Sequence, residues 1–308
     1  MADAPGAYLG LDAGGSSTRW LLVGESGDEL ARGSGGPISA IQLRTDEREA
    51  ALERLAALLA EVGSTARPVR VVAGVTGLEP GSPDALTLAM TAARALALPE
   101  PAVRVMPDIH VAYLSAFAPG SGVLVYAGTG SIAFHLSAGG VGTRAGGHGY
   151  LIDDAGGGFW IGREALKRVL RRADEQGAPA GGTLAGGLYA ALGGSDWDAI
   201  RRAVYAGGRA RVAALTRVVA LAAARGDDDA RAVLAAAGAE LARLARVVSG
   251  RLGVALPVVL AGGVARCGAP LTSAMEEALP SGTRFSVSTR EPVEAAAALA
   301  REQAGLSG

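Results

Sequence analysis

Two stretches of the chain repeat one short pattern of apolar runs, glycines and hydroxyl residues. The first, between Tyr8 and Gly33, begins with an apolar run that ends on Asp12 and continues into a turn. A second apolar run and a further turn follow, so the stretch predicts three strands in a β-meander. The residues of the first turn are Gly14, Gly15, Ser16, Ser17 and Thr18.

The second copy, between Val123 and Gly147, has the same order of elements. Its turn consists of Gly128, Thr129, Gly130 and Ser131. One copy alone is compatible with an ordinary hairpin that happens to be rich in glycine and serine. Two copies about one domain length apart predict a duplicated fold with two phosphate-facing hairpins. Glycine lets backbone N–H groups approach an anion closely, and the hydroxyls add donors.

The residues between the two copies predict an α/β domain, because helical spacing alternates with short apolar strands. The helices are predicted over 45–62 and 83–98, and the strands over 68–73 and 102–106. Asp108 follows the last strand, where it is either a helix cap or a cap that also takes part in catalysis. Ligands of open α/β sheets bind beyond the carboxyl ends of the strands. Asp12, Gly128 and Asp108 all lie at such ends, which favours catalysis and places Asp12 to reach a metal ion or its bound water.

The second copy leads into a segment that is too glycine-dense for a helix or a regular strand. Residues 146–162 read GGHGYLIDDAGGGFWIG and predict a loop pressed against a ligand. His148 is a candidate base or ligand, although a structural histidine with satisfied hydrogen bonds is the favoured interpretation. Further along, Gly262 and Gly263 follow a buried strand over 257–261. This pair permits either the close approach of a flat ring such as adenine or a tight turn into a helix.

Rare residue types exclude several classes of protein. The one cysteine, Cys267, rules out a disulfide or a cysteine cluster within one chain. The one lysine, Lys167, does not follow a glycine loop, so a P-loop is excluded. Any nucleotide phosphates must then be held by backbone amides, hydroxyls and Mg²⁺. The net charge of −1 favours no nucleic-acid or membrane partner, and without an apolar span or a signal peptide a cytoplasmic location is predicted.

Five features taken in order resemble one family. They are DAGGSST, Asp108 at a strand end, AGTGS, the glycine-dense segment 146–162, and VLAGG. The set resembles the BadF/BadG/BcrA/BcrD-type ATPases of the sugar kinase and actin superfamily, and within them the N-acetylglucosamine kinases. The resemblance implies an α/β fold of two ribonuclease H-like domains of the actin and hexokinase type, with an active-site cleft between them. The domains would span 1–117 and 118–290, the latter with a helical insertion, and 291–308 would be a C-terminal helix packing back at the junction.

The resemblance also implies a role for each matching residue. The chain would be an ATP-dependent kinase that transfers the γ-phosphoryl of Mg·ATP to a hydroxyl, the 6-OH, of an amino sugar such as N-acetylglucosamine or glucosamine. Asp108 would be the general base, Asp12 would hold Mg²⁺ through water, and the two glycine turns would hold the phosphates. Gly262 and Gly263 would lie along the adenosine. The implied sugar-binding residues are Ser39, Gly146, Gly147, His148 and Asp154.

Three motifs depart from the family pattern. Ser39 stands in place of the asparagine of a Pro-x-Asn motif, in a chain that contains no asparagine. The Gly-Asp-Glu-Gly motif reads Asp-Asp-Ala-Gly over 153–156, and His148 replaces a tryptophan. These changes leave open a non-catalytic nucleotide or sugar sensor, or a BadF-type ATPase with another substrate.

Two further relatives of this fold are disfavoured. An activator of 2-hydroxyacyl-CoA dehydratases needs more cysteines than Cys267 supplies. A sugar-responsive repressor needs a DNA-binding module before the first strand, for which a strand beginning by Tyr8 leaves no room. Family analogy predicts a homodimer.

Overall fold

The computed structural model describes residues 6–15 and 17–305. The chain divides into two compact units. The first contains Met1–Ser115 and Arg290–Gly308, and the second contains Ala116–Thr289. The domain limits predicted at residues 117 and 290 stay a prediction. Within the described residues, no helix is both long and apolar enough to cross a membrane.

The first unit is built on a five-stranded sheet. Its strands are β1 (Ala7–Ala13), β2 (Thr18–Val23), β3 (Glu29–Gly35), β4 (Pro68–Val75) and β5 (Val103–Pro107), in the order β3-β2-β1-β4-β5. The first three strands are antiparallel, and β4 and β5 run parallel to β1. The helices are α1 (Arg48–Thr65), α2 (Pro83–Leu96), α3 (Asp108–Ala116) and α10 (Pro292–Glu302).

Strand β1 alternates between two apolar layers, because successive side chains of a strand point to opposite faces. Leu9 and Leu11 belong to the core formed with α1 and α2. Tyr8 belongs to a second core that contains Val293 and the alanines of α10. A Cβ atom on Gly10 would lie 2.3 Å from the backbone nitrogen of Ala297, so a glycine in β1 lets α10 lie directly on the sheet.

The second unit repeats the plan of the first sheet. Its strands are β6 (Val123–Ala127), β7 (Ser131–Leu136), β8 (Gly142–Gly146), β9 (Val258–Ala261) and β10 (Phe285–Val287), in the order β10-β9-β6-β7-β8. Here too three antiparallel strands are followed by two that run parallel to the first. Both predicted meanders, and the duplication that they imply, are confirmed.

Six helices complete the second unit. They are α4 (Gly158–Gln176), α5 (Thr183–Leu192), α6 (Trp197–Ala214), α7 (Thr216–Ala224), α8 (Asp228–Leu252) and α9 (Ala269–Ala278). Helix α8 starts at a cap, since the Asp227 carboxylate accepts from the N–H of Ala230, and it ends at Gly253 in the left-handed region. Its buried side chains pack with those of β6 and α4 in one core.

One element differs from its prediction. Residues 146–162 are not a loop throughout, because α4 begins at Gly158. Gly158 and Gly162 lie where the helix touches other backbone: a Cβ atom on Gly162 would lie 2.1 Å from the carbonyl oxygen of Val212. The glycines at this end of the segment serve close helix packing.

Candidate active site

The carboxyl ends of β1, β4 and β5 meet at one edge of the first sheet. Asp12 lies near the end of β1, and its register partner in β4 is Gly74. A Cβ atom on Gly74 would lie 3.2 Å from Cα of Asp108, the first residue of α3. Because Gly74 has no side chain, Asp108 can lie against β4, on the strand beside Asp12. The two carboxylates are therefore brought together within the first unit.

Asp12 is a partly buried carboxylate with a cationic partner. Arg19 Nη2 donates to Asp12 Oδ2 at 3.0 Å, and Arg19 Nη1 lies 3.8 Å from Glu291 Oε1. Burial raises the pKa of Asp12, the Arg19 guanidinium opposes that rise, and the Asp108 carboxylate adds to it. No hydrogen bond from the described residues reaches Asp12 Oδ1, so this oxygen is open to a further ligand.

Asp108 has both carboxylate oxygens held. The hydroxyl of Thr76, the residue that follows β4, donates to Oδ2 at 2.7 Å. The N–H of Ile109 donates to Oδ1 at 2.8 Å. The carboxylate is thus oriented by two donors at the start of α3, which is compatible both with a cap and with a base. Thr76 was missed by sequence reasoning, although a hydroxyl residue at the same sheet edge was a usable signal.

The first glycine turn connects β1 to β2. Gly14 N–H donates to the carbonyl of Ser17 at 3.0 Å, which closes the turn. A Cβ atom on Gly15 would meet nothing within 4 Å, and Ser17 is exposed. Gly15 and Ser17 therefore lie beside open space that an anion can enter. Ser16 lies outside the described residues.

The side chain of Thr18 does not fit the phosphate-binding role that the family resemblance implies. It opens β2, is completely buried, and faces a small cavity lined by apolar side chains such as Leu11 and Leu88. Its hydroxyl has no hydrogen-bond partner in the described part of the chain. The reason is strand alternation, which turns Thr18 towards α1 and α2.

The loop over residues 36–40, here called the Ser39 loop, is tied to the same sheet edge. Ile38 N–H donates to the carbonyl of Gly14 at 3.2 Å, and Ala40 N–H donates to the carbonyl of Thr76 at 3.0 Å. Ser39 is 3% exposed, and its N–H donates to Oε1 of Gln42 at 3.0 Å. Its hydroxyl lies 3.4 Å from the same oxygen. Gln42, which sequence reasoning missed, therefore fixes the Ser39 loop.

The second glycine turn lies within the second unit, against the start of α4. Gly158 N–H donates to the carbonyl of Gly128 at 2.8 Å, and Phe159 N–H donates to that of Thr129 at 3.0 Å. These two amides of α4 are therefore occupied by the chain itself. The Thr129 side chain is exposed. Ser131 is 3% exposed and donates to the carbonyl of Ala155 at 2.7 Å, so its hydroxyl serves the fold and does not fit a phosphate-binding role.

Asp154 joins the second glycine turn to the glycine-dense loop. Its Oδ1 accepts from the N–H of Gly149 at 3.1 Å, and a Cβ atom on Gly130 would lie 2.1 Å from its Oδ2. Asp154 is 8% exposed and has a φ of 55°, in the left-handed region. Such backbone strain in a non-glycine residue clusters at functional sites. Burial raises the pKa of Asp154, and the hydrogen bond from Gly149 opposes the rise.

Three neighbours of Asp154 complete this loop. Gly146 and Gly147 have φ values of 76° and 70°, and Gly147 N–H donates to the carbonyl of Ser131 at 2.9 Å. His148 is exposed, and no hydrogen bond to it occurs in the described ranges. The favoured interpretation of His148 as a satisfied structural histidine is therefore wrong. Its exposed ring lies close enough to Asp154 to interact with that carboxylate electrostatically.

The Gly262–Gly263 pair serves two purposes. Gly262 has a φ of 97°, and its Cβ atom would lie 2.4 Å from the carbonyl oxygen of Ala127 at the end of β6. Packing alone therefore requires Gly262, in agreement with the tight-turn alternative. Around Gly263, a Cβ atom would meet nothing within 4 Å. Only Gly263 leaves space for a flat ring.

A magnesium ion fits the residues at the first site. No group of three or more histidine, cysteine, aspartate or glutamate side chains in the described ranges is arranged to hold a metal ion by itself. Magnesium bound with a nucleotide needs fewer protein ligands, because it keeps several waters and takes phosphate oxygens with one or two carboxylates. The Asp12 side chain is 16% exposed and offers one open oxygen. Asp12 can therefore hold such an ion through water.

Two α/β units, each with a glycine turn inside a meander, define a two-domain fold of the actin and sugar kinase type. The profile of the BadF/BadG/BcrA/BcrD ATPase family matches residues 9–296. The chain belongs to this family, which confirms the resemblance.

The relatives are amino-sugar kinases. N-acetylmuramic acid/N-acetylglucosamine kinase of Clostridium acetobutylicum is 32% identical over 139 residues, which are 44% of this chain and 45% of that protein. N-acetyl-D-glucosamine kinase of Dictyostelium discoideum is 28% identical over 184 residues, 55% of this chain and 56% of that protein. These matches span about half the length of each relative. A solved structure of a candidate N-acetylglucosamine kinase from Chromobacterium violaceum is 27% identical with a TM-score of 0.67, over 96% of this chain and 99% of that one, and it confirms the predicted fold class.

Proposed function

We propose that the protein is an ATP-dependent kinase that phosphorylates a hydroxyl, the 6-OH, of an amino sugar such as N-acetylglucosamine or glucosamine. One observation carries the proposal. The Asp108 carboxylate is held by Thr76 and Ile109 at the sheet edge that also presents Asp12 and the first glycine turn. A carboxylate beside a phosphate-binding turn is what a phosphoryl acceptor requires.

Asp108 acts as the general base in this proposal. The sugar oxygen forms a bond to the γ-phosphorus as the bond from that phosphorus to the bridging oxygen of ADP breaks, and the hydroxyl proton passes to Asp108. A general base of this kind contributes roughly 10²–10⁴-fold in rate. Magnesium, when bound, neutralises charge that develops on the phosphate oxygens. Asp12 holds it through water, and Arg19 keeps Asp12 oriented.

Three turns bind the nucleotide in this proposal, mainly through backbone groups. Gly14, Gly15 and Ser17 hold phosphate through their amides, with Ser16 as an untested partner. Gly128, Thr129 and Gly130 form the second contact, and Gly263 lies along the adenosine with Gly262 shaping the turn. The buried hydroxyls of Thr18 and Ser131 are left out, because neither points to open space.

The sugar is assigned to the Ser39 loop and to the loop that carries Gly146, Gly147, His148 and Asp154. The Asp154 carboxylate accepts hydrogen bonds from sugar hydroxyls, and the exposed His148 offers a ring where the family has tryptophan. The two curated relatives act on N-acetylglucosamine, and one also acts on N-acetylmuramic acid. N-acetylated amino sugars are therefore the first substrates to test.

A sugar panel tests the proposal. ADP release from Mg·ATP is measured with N-acetylglucosamine, glucosamine, glucose, N-acetylmannosamine, N-acetylmuramic acid and a blank. We expect turnover that depends on an amino sugar and falls at least about 10²-fold in Asp108→Asn, while Asp46→Asn, an exposed aspartate outside the site, keeps it. ATP binding without sugar-dependent turnover would favour the sensor instead. The homodimer is proposed by family analogy and needs light scattering. The cytoplasmic location is proposed from the sequence and needs cell fractionation.

A further inference from the structure

Thr76 occupies the point where three parts of the first unit meet. Its N–H donates to the carbonyl of Ala13 at the end of β1, at 2.9 Å. Its carbonyl accepts the N–H of Ala40 in the Ser39 loop at 3.0 Å, and its hydroxyl donates to Asp108 Oδ2 at 2.7 Å. The backbone of one residue thus fixes β1 and the Ser39 loop, and its side chain fixes Asp108.

The hydroxyl contact restricts a torsion that is otherwise loose. The terminal torsion of an aspartate is broad and about two-fold, so a carboxylate held at one oxygen can still swing. The Ile109 N–H, adjacent in the chain, holds only Oδ1. The Thr76 hydroxyl comes from a distant part of the chain, the residue that follows β4, and holds the second oxygen. Together the two donors set the plane of the carboxylate.

We propose that Thr76 is a positioning residue for the phosphoryl acceptor, acting through Asp108. This inference rests on the proposed function, in which Asp108 is the base. Thr76 fixes the direction of the Asp108 oxygens towards the sugar hydroxyl, and it does not itself touch the substrate. Small errors in the direction of a base lower the rate of the chemical step much more than they lower ground-state binding.

The side-chain and backbone contacts of Thr76 can be separated by substitution. Thr76→Val removes the hydroxyl, keeps the shape, and keeps the carbonyl that holds Ala40. Thr76→Ser keeps the hydroxyl. Gln42→Leu is the complementary change, because it removes the acceptor of the Ser39 N–H and hydroxyl and leaves Asp108 untouched. Thr91→Val, which removes a hydroxyl that bonds only a carbonyl within α2, is the matched control.

The test is steady-state kinetics with the best sugar of the panel. We expect Thr76→Val to lower kcat roughly 10–100-fold with little change in KM for the sugar, and Thr76→Ser to recover most of it. Gln42→Leu should raise KM for the sugar and change kcat less. In the Asp108→Asn background, Thr76→Val should cause no further loss, since a residue that acts only through Asp108 has nothing left to position.

Other outcomes would contradict either the role of Thr76 or the proposed function as a whole. Wild-type kcat in Thr76→Val, or losses that multiply in the double variant, would overturn the inference while leaving Asp108 as the base. An Asp108→Asn variant with wild-type turnover, or a wild-type protein with no sugar-dependent turnover, would overturn the proposed function and this inference with it.

Discussion

The hydroxyl groups of Thr18 and Thr76 differ in whether they form a hydrogen bond. The Thr76 hydroxyl bonds a carboxylate, whereas the fully buried Thr18 hydroxyl has no partner in the described residues. A buried hydroxyl without a hydrogen bond loses its interaction with water and gains nothing in return. The unsatisfied hydroxyl of Thr18 therefore lowers the stability of the folded protein.

Thr18→Val should stabilise the protein. Valine has nearly the same shape and removes the unsatisfied hydroxyl, so we expect the free energy of unfolding to rise by about 1 kcal/mol in urea denaturation. Thr91→Val, which breaks a satisfied hydrogen bond, should give no such gain. A loss of stability in Thr18→Val would show that the hydroxyl is bonded in solution.

Cys267 gives a prediction on pH and reactivity. It is 8% exposed, and burial raises the pKa of its thiol from 9.0 to about 11. An aromatic disulfide reagent at pH 8 should therefore label the native protein much more slowly than the denatured protein. The unfolded thiol ionises first, so between pH 9.0 and about 11 the folded state binds more protons and its stability falls as pH rises. Equally fast labelling of both states would contradict this burial.

Residues at strand ends were predictable, and their partners were not. Asp12, Asp108 and Gly128 follow apolar runs, and the local pattern of a strand sets where it stops. The partners Thr76 and Gln42, and the exposed state of His148, depend on how separate segments pack. Hydroxyls such as Thr18 and Ser131 were assigned to phosphate by type, whereas the strand alternation and the Ala155 contact turn them inward.

At the scale of elements, glycine had two meanings that sequence alone does not separate. In the turns, Gly15 and Gly263 lie beside open space. Gly158 and Gly162 instead begin a helix packed closely on other backbone, which is why a loop was predicted in place of the first turn of α4. Glycine density marks close approach, and only the structure shows whether a ligand or the chain itself approaches.

Two glycines of helix α8, Gly238 and Gly250, test whether close packing requires a glycine at a given position. A Cβ atom on Gly238 would lie 2.2 Å from the carbonyl oxygen of Leu271 in α9, while one on Gly250 would meet nothing within 4 Å. We expect Gly238→Ala to lower the free energy of unfolding by about 1–3 kcal/mol through overpacking. Gly250→Ala should raise it by up to about 1 kcal/mol through helix propensity. Effects of the same sign in thermal or urea unfolding would contradict the α8–α9 contact.

At the scale of the whole molecule, both sheets have one plan: a meander followed by two parallel strands. The sequence predicts this duplication because each meander has its own glycine turn in a similar place. Each unit then carries its own part of the proposed chemistry. The first unit holds Asp12, Asp108 and the Ser39 loop, and the second unit holds the second glycine turn and Asp154.

Identification of the product shows whether the protein is an amino-sugar kinase. The protein is incubated with Mg·ATP and N-acetylglucosamine, and phosphorus–proton correlation spectra of the mixture are recorded beside those of Asp108→Asn. We predict ADP and a new phosphomonoester whose phosphorus couples to the two protons on carbon 6, with almost none formed by the variant. The experiment is repeated with the other amino sugars of the panel. Intact ATP with all of them, or release of inorganic phosphate without a sugar phosphate, would contradict the proposed kinase.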